Sequence, residues 1–363
     1  MTTGTLAPSA ATFLDDVSNR RATPCGHDVD WSDLGIRDEG DLLAALPALL
    51  PFETSGSTDG PVVRWRTRER LVQEARHVAD LLAVDPPDVF VVHAPPRDLH
   101  GLLFGCLAPA LLGRRARYAR PDDPLPRDAR RPLFVAVPST WSHLRRSLRE
   151  LRGYERLTVT HGTGPLPEAA PAVRRAVPRL SLLEVHGSTE TGLIGTRADG
   201  RWDFTLAPDL AFAPHGSAAQ AASPSPVPLV VRSTRIPADG DGPQSPEHVL
   251  ADLVTPTGPR TYRLAGRHGD PIGSRGQWAG LADIEAVLRG AVPGVGLRCV
   301  PVPDPLHGEG YEVVVAGAEH DRRAVVAASL RALPAWQAPR VVRLDTPGSA
   351  VPVRLPSVGE NDA

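Results

Sequence analysis

The chain has 363 residues, 41% of them apolar, with 40 basic against 42 acidic side chains and a formal net charge of −2. That length supports two domains, or one large domain with an appendage, and aromatics at 5% leave a core made mostly of Leu, Val and Ala. The near-neutral balance argues against a nucleic-acid partner, and no apolar run approaches the ~20 residues of a membrane-spanning helix.

Cys25, Cys106 and Cys299 are isolated, with neither metal-site spacing nor a disulfide framework. No secretory signal precedes the first elements, so a cytoplasmic, soluble protein with no membrane partner is expected. Every basic side chain is arginine; a chain of this length ordinarily carries on the order of twenty lysines. Abundant Ala, Arg, Gly and Pro are those of a GC-rich coding sequence, which exchanges exposed Lys for Arg. The cluster Arg114, Arg115, Arg117 and Arg120 is followed by Asp122 and Asp123 and reads as a solvated face.

In chain order, 41–50 is a helix candidate. A Thr/Ser/Gly cluster follows at 54–60. The next helix is capped by Thr67 and carries Leu71, Ala75, Val78 and Leu82 on one face, ending before Pro86 and Pro87. Then come a strand at 89–93, a buried helix at 99–112, a strand at 133–137, a helix at 141–152, and strands at 157–160 and 180–185 with a helix between them. Residues 214–228 read as a surface loop, and a strand resumes at 227–231. After Asp270 come a helix at 281–290, strands at 297–302 and 311–316, a helix at 322–333 capped by Asp321, and a strand at 340–344. The class is α/β: a large N-terminal αβ domain over 1–268 with a mainly parallel sheet, then a small α+β domain over 269–363.

Four segments carry chemistry. Thr54, Ser55, Gly56, Ser57, Thr58, Asp59 and Gly60 form a loop whose backbone N–H groups can face an anion, or an ordinary Ser/Gly turn. It is not a lysine-bearing phosphate loop of the G-x-x-x-x-G-K-[ST] kind. His186, Gly187, Ser188, Thr189, Glu190, Thr191 and Gly192 follow a strand. Glu190 stands where α/β folds place ligands, and could hold a metal, orient a substrate or simply cap a turn. Asp252, between apolar neighbours, could accept a ribose diol or be a turn residue. Gly266, Arg267, His268, Gly269 and Asp270 lie at the expected domain boundary.

In this order the segments resemble the adenylate-forming superfamily: acyl- and aryl-CoA synthetases, adenylation domains of nonribosomal peptide synthetases, and luciferases. The resemblance runs from about residue 50 to the C-terminus. Weaker matches keep the same register: His93 to Gly101, Val137-Pro138-Ser139, the segment from His161 to Leu166, and Ile284-Glu285. The resemblance implies ATP- and Mg²⁺-dependent activation of a small carboxylic acid, fatty or aryl, in specialised metabolism. It also implies transfer to CoA or a phosphopantetheinyl acyl carrier protein. It places Thr54, Ser55, Gly56, Ser57 and Thr58 on the β- and γ-phosphates, Thr189 on the α-phosphate and Glu190 on Mg²⁺. It puts His186, Gly187 and Ser188 beside the nucleotide, Asp252 on the ribose with Arg267 nearby, and Gly269 at a hinge. His100, His161, Gly162, Thr163 and Gly164 would line the acid pocket.

The sequence departs from that pattern at its cations. Asp59 replaces a glycine; a carboxylate ~4 Å from a phosphate costs about 4 kcal/mol at an effective dielectric near 20. Val62 and Gly273 stand where the family has lysine, and the late catalytic lysine has no counterpart among Ser349, Ala350 and Val351. Arg354 is the nearest cation and is not an isosteric substitute. Two outcomes follow: a ligase using arginine or metal in place of lysine, or a divergent homologue that binds nucleotide, acyl-adenylate or carrier protein without adenylation, or performs other acyl-transfer chemistry. The short stretch before the phosphate loop leaves the pocket open, or completed by a partner or a second copy.

Overall fold

The computed structural model describes residues 10–18, 26–53, 63–162, 166–199, 201–213, 227–233, 235, 247–267, 271–274, 277–304, 308–345 and 353–354. The chain divides into two compact units, one comprising 1–54, 62–162 and 169–265, the other containing 266–363.

The first unit opens with α1 (Ala10–Ser18), β1 (His27–Asp30) and α2 (Glu39–Ala45). The helix expected over 41–50 starts earlier, where the Asp38 carboxylate accepts from Asp41 N–H at 3.0 Å, and stops at Ala45. Pro47 disfavours the α conformation at Leu46, which is extended (φ −98°, ψ 145°). The chain continues as a strand, β2 (Leu49–Glu53), paired antiparallel with β3 (Val63–Thr67).

Helix α3 (Arg68–Ala83) begins at the expected cap: Thr67 Oγ1 accepts from Arg70 N–H at 3.4 Å. Leu71, Ala75, Val78 and Leu82 are buried, each larger aliphatic contributing roughly 1.5–3 kcal/mol. Glu74 lies on the same stripe and is buried with them.

Five strands form the parallel part of the large sheet: β4 (Val89–Val92), β5 (Arg115–Tyr118), β6 (Pro132–Ala136), β7 (Leu157–His161) and β8 (Leu180–Ser188). They lie in the order β5-β4-β6-β7-β8, with helices in the crossovers: α6 (Pro138–Arg146) with α7 (Leu148–Leu151), and α8 (Ala169–Ala176). Between β4 and β5 the expected helix over 99–112 is interrupted. α4 (Leu99–Leu102) passes through a π segment, Leu103–Leu107, into α5 (Ala108–Leu111). The cause is Pro109, which has no N–H for the Gly105 carbonyl four residues back. The Tyr118 hydroxyl donates to that carbonyl instead, at 2.6 Å, and the Cys106 thiol lies 3.3 Å from the same hydroxyl.

The expectation of a mainly parallel sheet needs refinement. From β8 onward the pairing is antiparallel through β9 (Gly192–Ala198) and β10 (Phe204–Leu206). Then β14 (Thr261–Arg267), β13 (Glu247–Gly258), β12 (Val227–Arg232) and β11 (Ala211–Phe212) complete the order. No helix separates β8 from β9 or β13 from β14, so these strands return directly as hairpins. The sheet is therefore mixed, and its class remains α/β.

The second unit contains β15 (Pro271–Ser274), β16 (Gln277–Gly280), α9 (Leu281–Ala291), β17 (Gly296–Asp304), β18 (Gly308–Ala316), α10 (Glu319–Ala332), β19 (Val341–Leu344) and β20 (Val353–Arg354). Ile284, Leu288, Val313, Val315, Val325 and Val342 form its core. Asp321 sits inside the first turn of α10 and accepts from Ala318 N–H at 2.7 Å, so the helix starts before the expected cap. Among the described residues no helix is long and apolar enough to cross a membrane.

Candidate functional site

The turn joining β8 to β9 is the most elaborately held part of the first unit. Ser188 is paired opposite Gly192, and a bulge falls between His186 and Gly187. The Ser188 Oγ accepts from Thr191 N–H at 3.1 Å and lies 2.8 Å from Thr191 Oγ1, closing the turn with side-chain hydroxyls. Gly187 is needed because a Cβ there would lie 2.8 Å from the Gly192 carbonyl oxygen. Thr189 and Glu190 occupy the tip, both half-buried.

Behind the tip lies a buried ion cluster that sequence reasoning did not find. Arg66, Glu74 and Arg235 are each fully buried. Arg66 pairs with Glu74, and Arg235 with both Glu74 (3.3 Å) and Asp209 (2.6 Å). Burial pulls the Arg66 guanidinium below its ordinary value, opposed by Glu74. At Asp209 burial pushes upward, but His77 and Arg235 hydrogen bonds prevail and hold its carboxyl well below the usual range. Arg66, four residues after Val62, is thus committed to Glu74.

One strand position before the bulge, His186 is buried against Tyr262 and Asp252. Its Nδ1 lies 2.7 Å from the Tyr262 hydroxyl and its Nε2 3.3 Å from Asp252 Oδ2. Burial, then the Asp252 charge, push the Tyr262 phenol up, so it keeps its proton. It therefore donates to Nδ1, which leaves Nε2 to donate to Asp252. Phe204 stacks on Tyr262 at 5.6 Å, and Arg197 sits 4.6 Å above Phe204 while pairing with Glu184. Two motifs 66 residues apart thus meet in one hydrogen bond.

A third group lies at the end of β7. Trp141 Nε1–H donates to His161 Nδ1 at 3.2 Å. A Cβ on Gly162 would approach His100 Nδ1 and the Val185 carbonyl oxygen to 3.1 Å, so His100 packs closely against this glycine. Both ring nitrogens of His100 are sealed from solvent without a partner among the described residues. Burial, then His161, lower its pKa to about 3, so the ring is neutral at ordinary pH. His93, 3.0 Å from Thr140 Oγ1, is lowered likewise to about 3 by burial and then His143.

The structure therefore brings together His186 with Asp252, Ser188 with Thr189 and Glu190, and His100 with Gly162. Arg267 ends β14, and Arg354 pairs through its backbone with Val341 in β20. Thr54, Ser55, Gly56, Ser57, Thr58, Asp59, Val62, Thr163, Gly164 and Gly269 lie outside the described residues. The one sequence signal for the hidden cluster was Glu74, placed three residues after Leu71 and four before Val78 on an otherwise apolar face.

No family model matches the chain. A 4-coumarate–CoA ligase of Rhodobacter capsulatus is 32% identical over 275 residues, covering 73% of this chain and 64% of that protein. A 4-coumarate–CoA ligase of Cereibacter sphaeroides is 32% identical over 198 residues, 50% of this chain and 44% of that one. The chain thus spans less than two thirds of the length of these curated relatives. Among solved structures, a malonyl-CoA ligase complex with methylmalonyl-CoA and AMP superposes with a TM-score of 0.62 at 24% identity, over 85% of this chain and 71% of that one. The amide bond synthetase McbA of Marinactinospora thermotolerans gives 0.61 at 19% identity, over 82% and 65%. The chain is thus similar in sequence to 4-coumarate–CoA ligases and shares the fold of the malonyl-CoA ligase and McbA structures, in line with the adenylate-forming resemblance of its ordered motifs.

Proposed function

We propose that the protein activates a carboxylic acid with ATP, forming an acyl-adenylate and pyrophosphate, and transfers the acyl group to a thiol of CoA or of a phosphopantetheinyl carrier protein, releasing AMP. The observation that carries this reading is the convergence of His186 and Asp252 beside the Thr189–Glu190 turn. A nucleotide needs a ribose acceptor and a phosphate-facing turn within a few ångströms of each other. Asp252 would take the ribose, with Arg267 nearby. The His186 ring would face the base, since both its nitrogens are engaged. Thr189 would donate to the α-phosphate, and residues 54–58 would cradle the outer phosphates. Gly269 would be the hinge between domains 1–268 and 269–363.

Magnesium is implied by such chemistry. Among the described residues no cluster of three His, Cys, Asp or Glu forms a cation cage. A lone half-buried carboxylate suits the way Mg²⁺ binds, through one or two carboxylates plus substrate phosphates. Glu190 would hold the ion, which when bound offsets the repulsion between the two anionic substrates. The acid is read as aryl or fatty, in keeping with relatives named 4-coumarate–CoA ligase. His100, His161 and Gly162 would line its pocket, and Arg354 would stand in for lysine.

Hydroxamate trapping with ATP over a broad panel of acids tests the reading. At least one acid is expected to give product, and Glu190→Gln to lower turnover by about 100-fold or more. If Arg354 serves the carboxylate, Arg354→Ala falls too; loss in Glu190→Gln alone removes Arg354 from the mechanism. No trapping with any acid sinks the ligase reading. The absence of lysine at 349–351 supports a second reading, in which the protein binds an adenylate formed elsewhere. Calorimetric binding of AMP or a sulfamoyl acyl-adenylate analogue without trapping would favour it.

A further inference from the structure

The buried cluster is aimed at the backbone of the turn. Arg66 Nη1 donates to the Thr189 carbonyl at 3.3 Å. Arg235 donates from Nη1 to the Thr191 carbonyl at 2.9 Å and from Nη2 to the Leu193 carbonyl at 2.6 Å. Glu74 Oε2 accepts from Leu193 N–H at 3.0 Å. Three alternate carbonyls are thus drawn inward. Gly192 has φ +72°, and a Cβ there would overlap the Glu74 carboxylate, so the turn and the cluster fit only with glycine.

Asp209 anchors Arg235 in turn, with Nε at 2.6 Å and Nη2 at 3.1 Å, and is itself held by Gln73 and Ser233. Buried ion groups are often replaceable by apolar side chains without loss of stability. Stability alone therefore does not explain why the donors converge on one turn.

We propose that Arg66, Glu74, Arg235 and Asp209 are positioning residues that fix the β8–β9 turn, and with it the Thr189–Glu190 tip, through the Thr189, Thr191 and Leu193 carbonyls. The inference rests on the reading of that tip as the phosphate- and metal-facing turn. A guanidinium is the suitable group, because its planar fork reaches two carbonyls and a carboxylate together, whereas an ammonium is a point charge. Here, replacing arginine by lysine should cost function.

The test is Arg235→Lys in the full chain, with charge retained, beside the charge-neutral pair Arg66→Met/Glu74→Gln. Peptide-resolved hydrogen exchange over 188–193 is expected to quicken on the order of tenfold in Arg235→Lys, with distant core peptides unchanged. Hydroxamate turnover should fall about 100-fold with the acid's KM preserved, because only transition-state contacts are lost. In the paired variant, restored neutrality should recover melting temperature but not turnover. Unchanged exchange, or turnover that recovers with stability, overturns the proposal. Wild-type protein that traps no acid refutes the ligase reading, while exchange still decides whether the cluster holds the turn. Should both variants fail to fold, wild-type exchange decides: the Leu193 amide must be as slow as the core of β8, and rapid exchange there overturns the inference.

Discussion

Gly192 and Glu74 constrain each other across 118 residues of chain. The left-handed backbone at Gly192 (φ +72°) costs any L-residue about 1–2 kcal/mol before contact with the carboxylate is counted. Gly192→Ala is therefore expected to lower unfolding free energy by at least about 2 kcal/mol, seen as a reduced urea midpoint at unchanged slope. The contrast with Glu190 is instructive. Glu190, Thr189, His186 and Asp252 could be singled out in the sequence because they belong to ordered motifs, and folding joins His186 to Asp252. Arg66, Glu74, Arg235 and Asp209 were not, because arginine and acid at those spacings read equally well as solvated surface. Only folding shows that positions 66, 74, 209 and 235 join in one ion cluster.

Among elements, the helix over 99–112 was legible from its apolar run, but its π segment was not. The missing signal combines a local cause, Pro109, with a remote one, the Tyr118 hydroxyl reached from the next strand. Tyr118→Phe leaves the buried Gly105 carbonyl without that donor and removes the partner of Cys106. The expected cost is about 1–3 kcal/mol in denaturant unfolding. Burial raises the Cys106 thiol to about 12, so it stays protonated beside Tyr118 and does not compensate as a thiolate. The helix expected at 41–50 failed for a similar reason. Its apolar residues continue past Ala45, but Pro47 turns them into a strand whose partner, β3, lies across residues 54–62.

At the scale of the molecule, the ion cluster ties β3, α3, the β8–β9 turn and the segments carrying Asp209 and Arg235 into one electrostatic unit. Its pH dependence has a definite sign. The folded Asp209 carboxyl titrates below the unfolded value, so its stabilisation is fully present above pH ~4 and is lost as pH falls through the lowered folded value. Asp209→Asn should cost about 3 kcal/mol near neutrality and progressively less below pH ~4. Urea unfolding of both proteins at several pH values checks this; a constant offset would contradict it. The alternation of strands and helices made β4, β6, β7 and β8 of the parallel half legible, whereas of the antiparallel half only the strand at 227–231 was read from the sequence. That division makes β8 the border between two modes of assembly. On one side its partner β7 is reached only through a helical crossover, and on the other β9 returns after a three-residue turn. Local hairpins close in microseconds, whereas crossover pairing must first meet the entropy of a long loop. The strand bearing His186 is then expected to gain its β9 neighbour early and its β7 neighbour late. Mutations that slow folding without changing stability should accordingly cluster on the crossover side of β8.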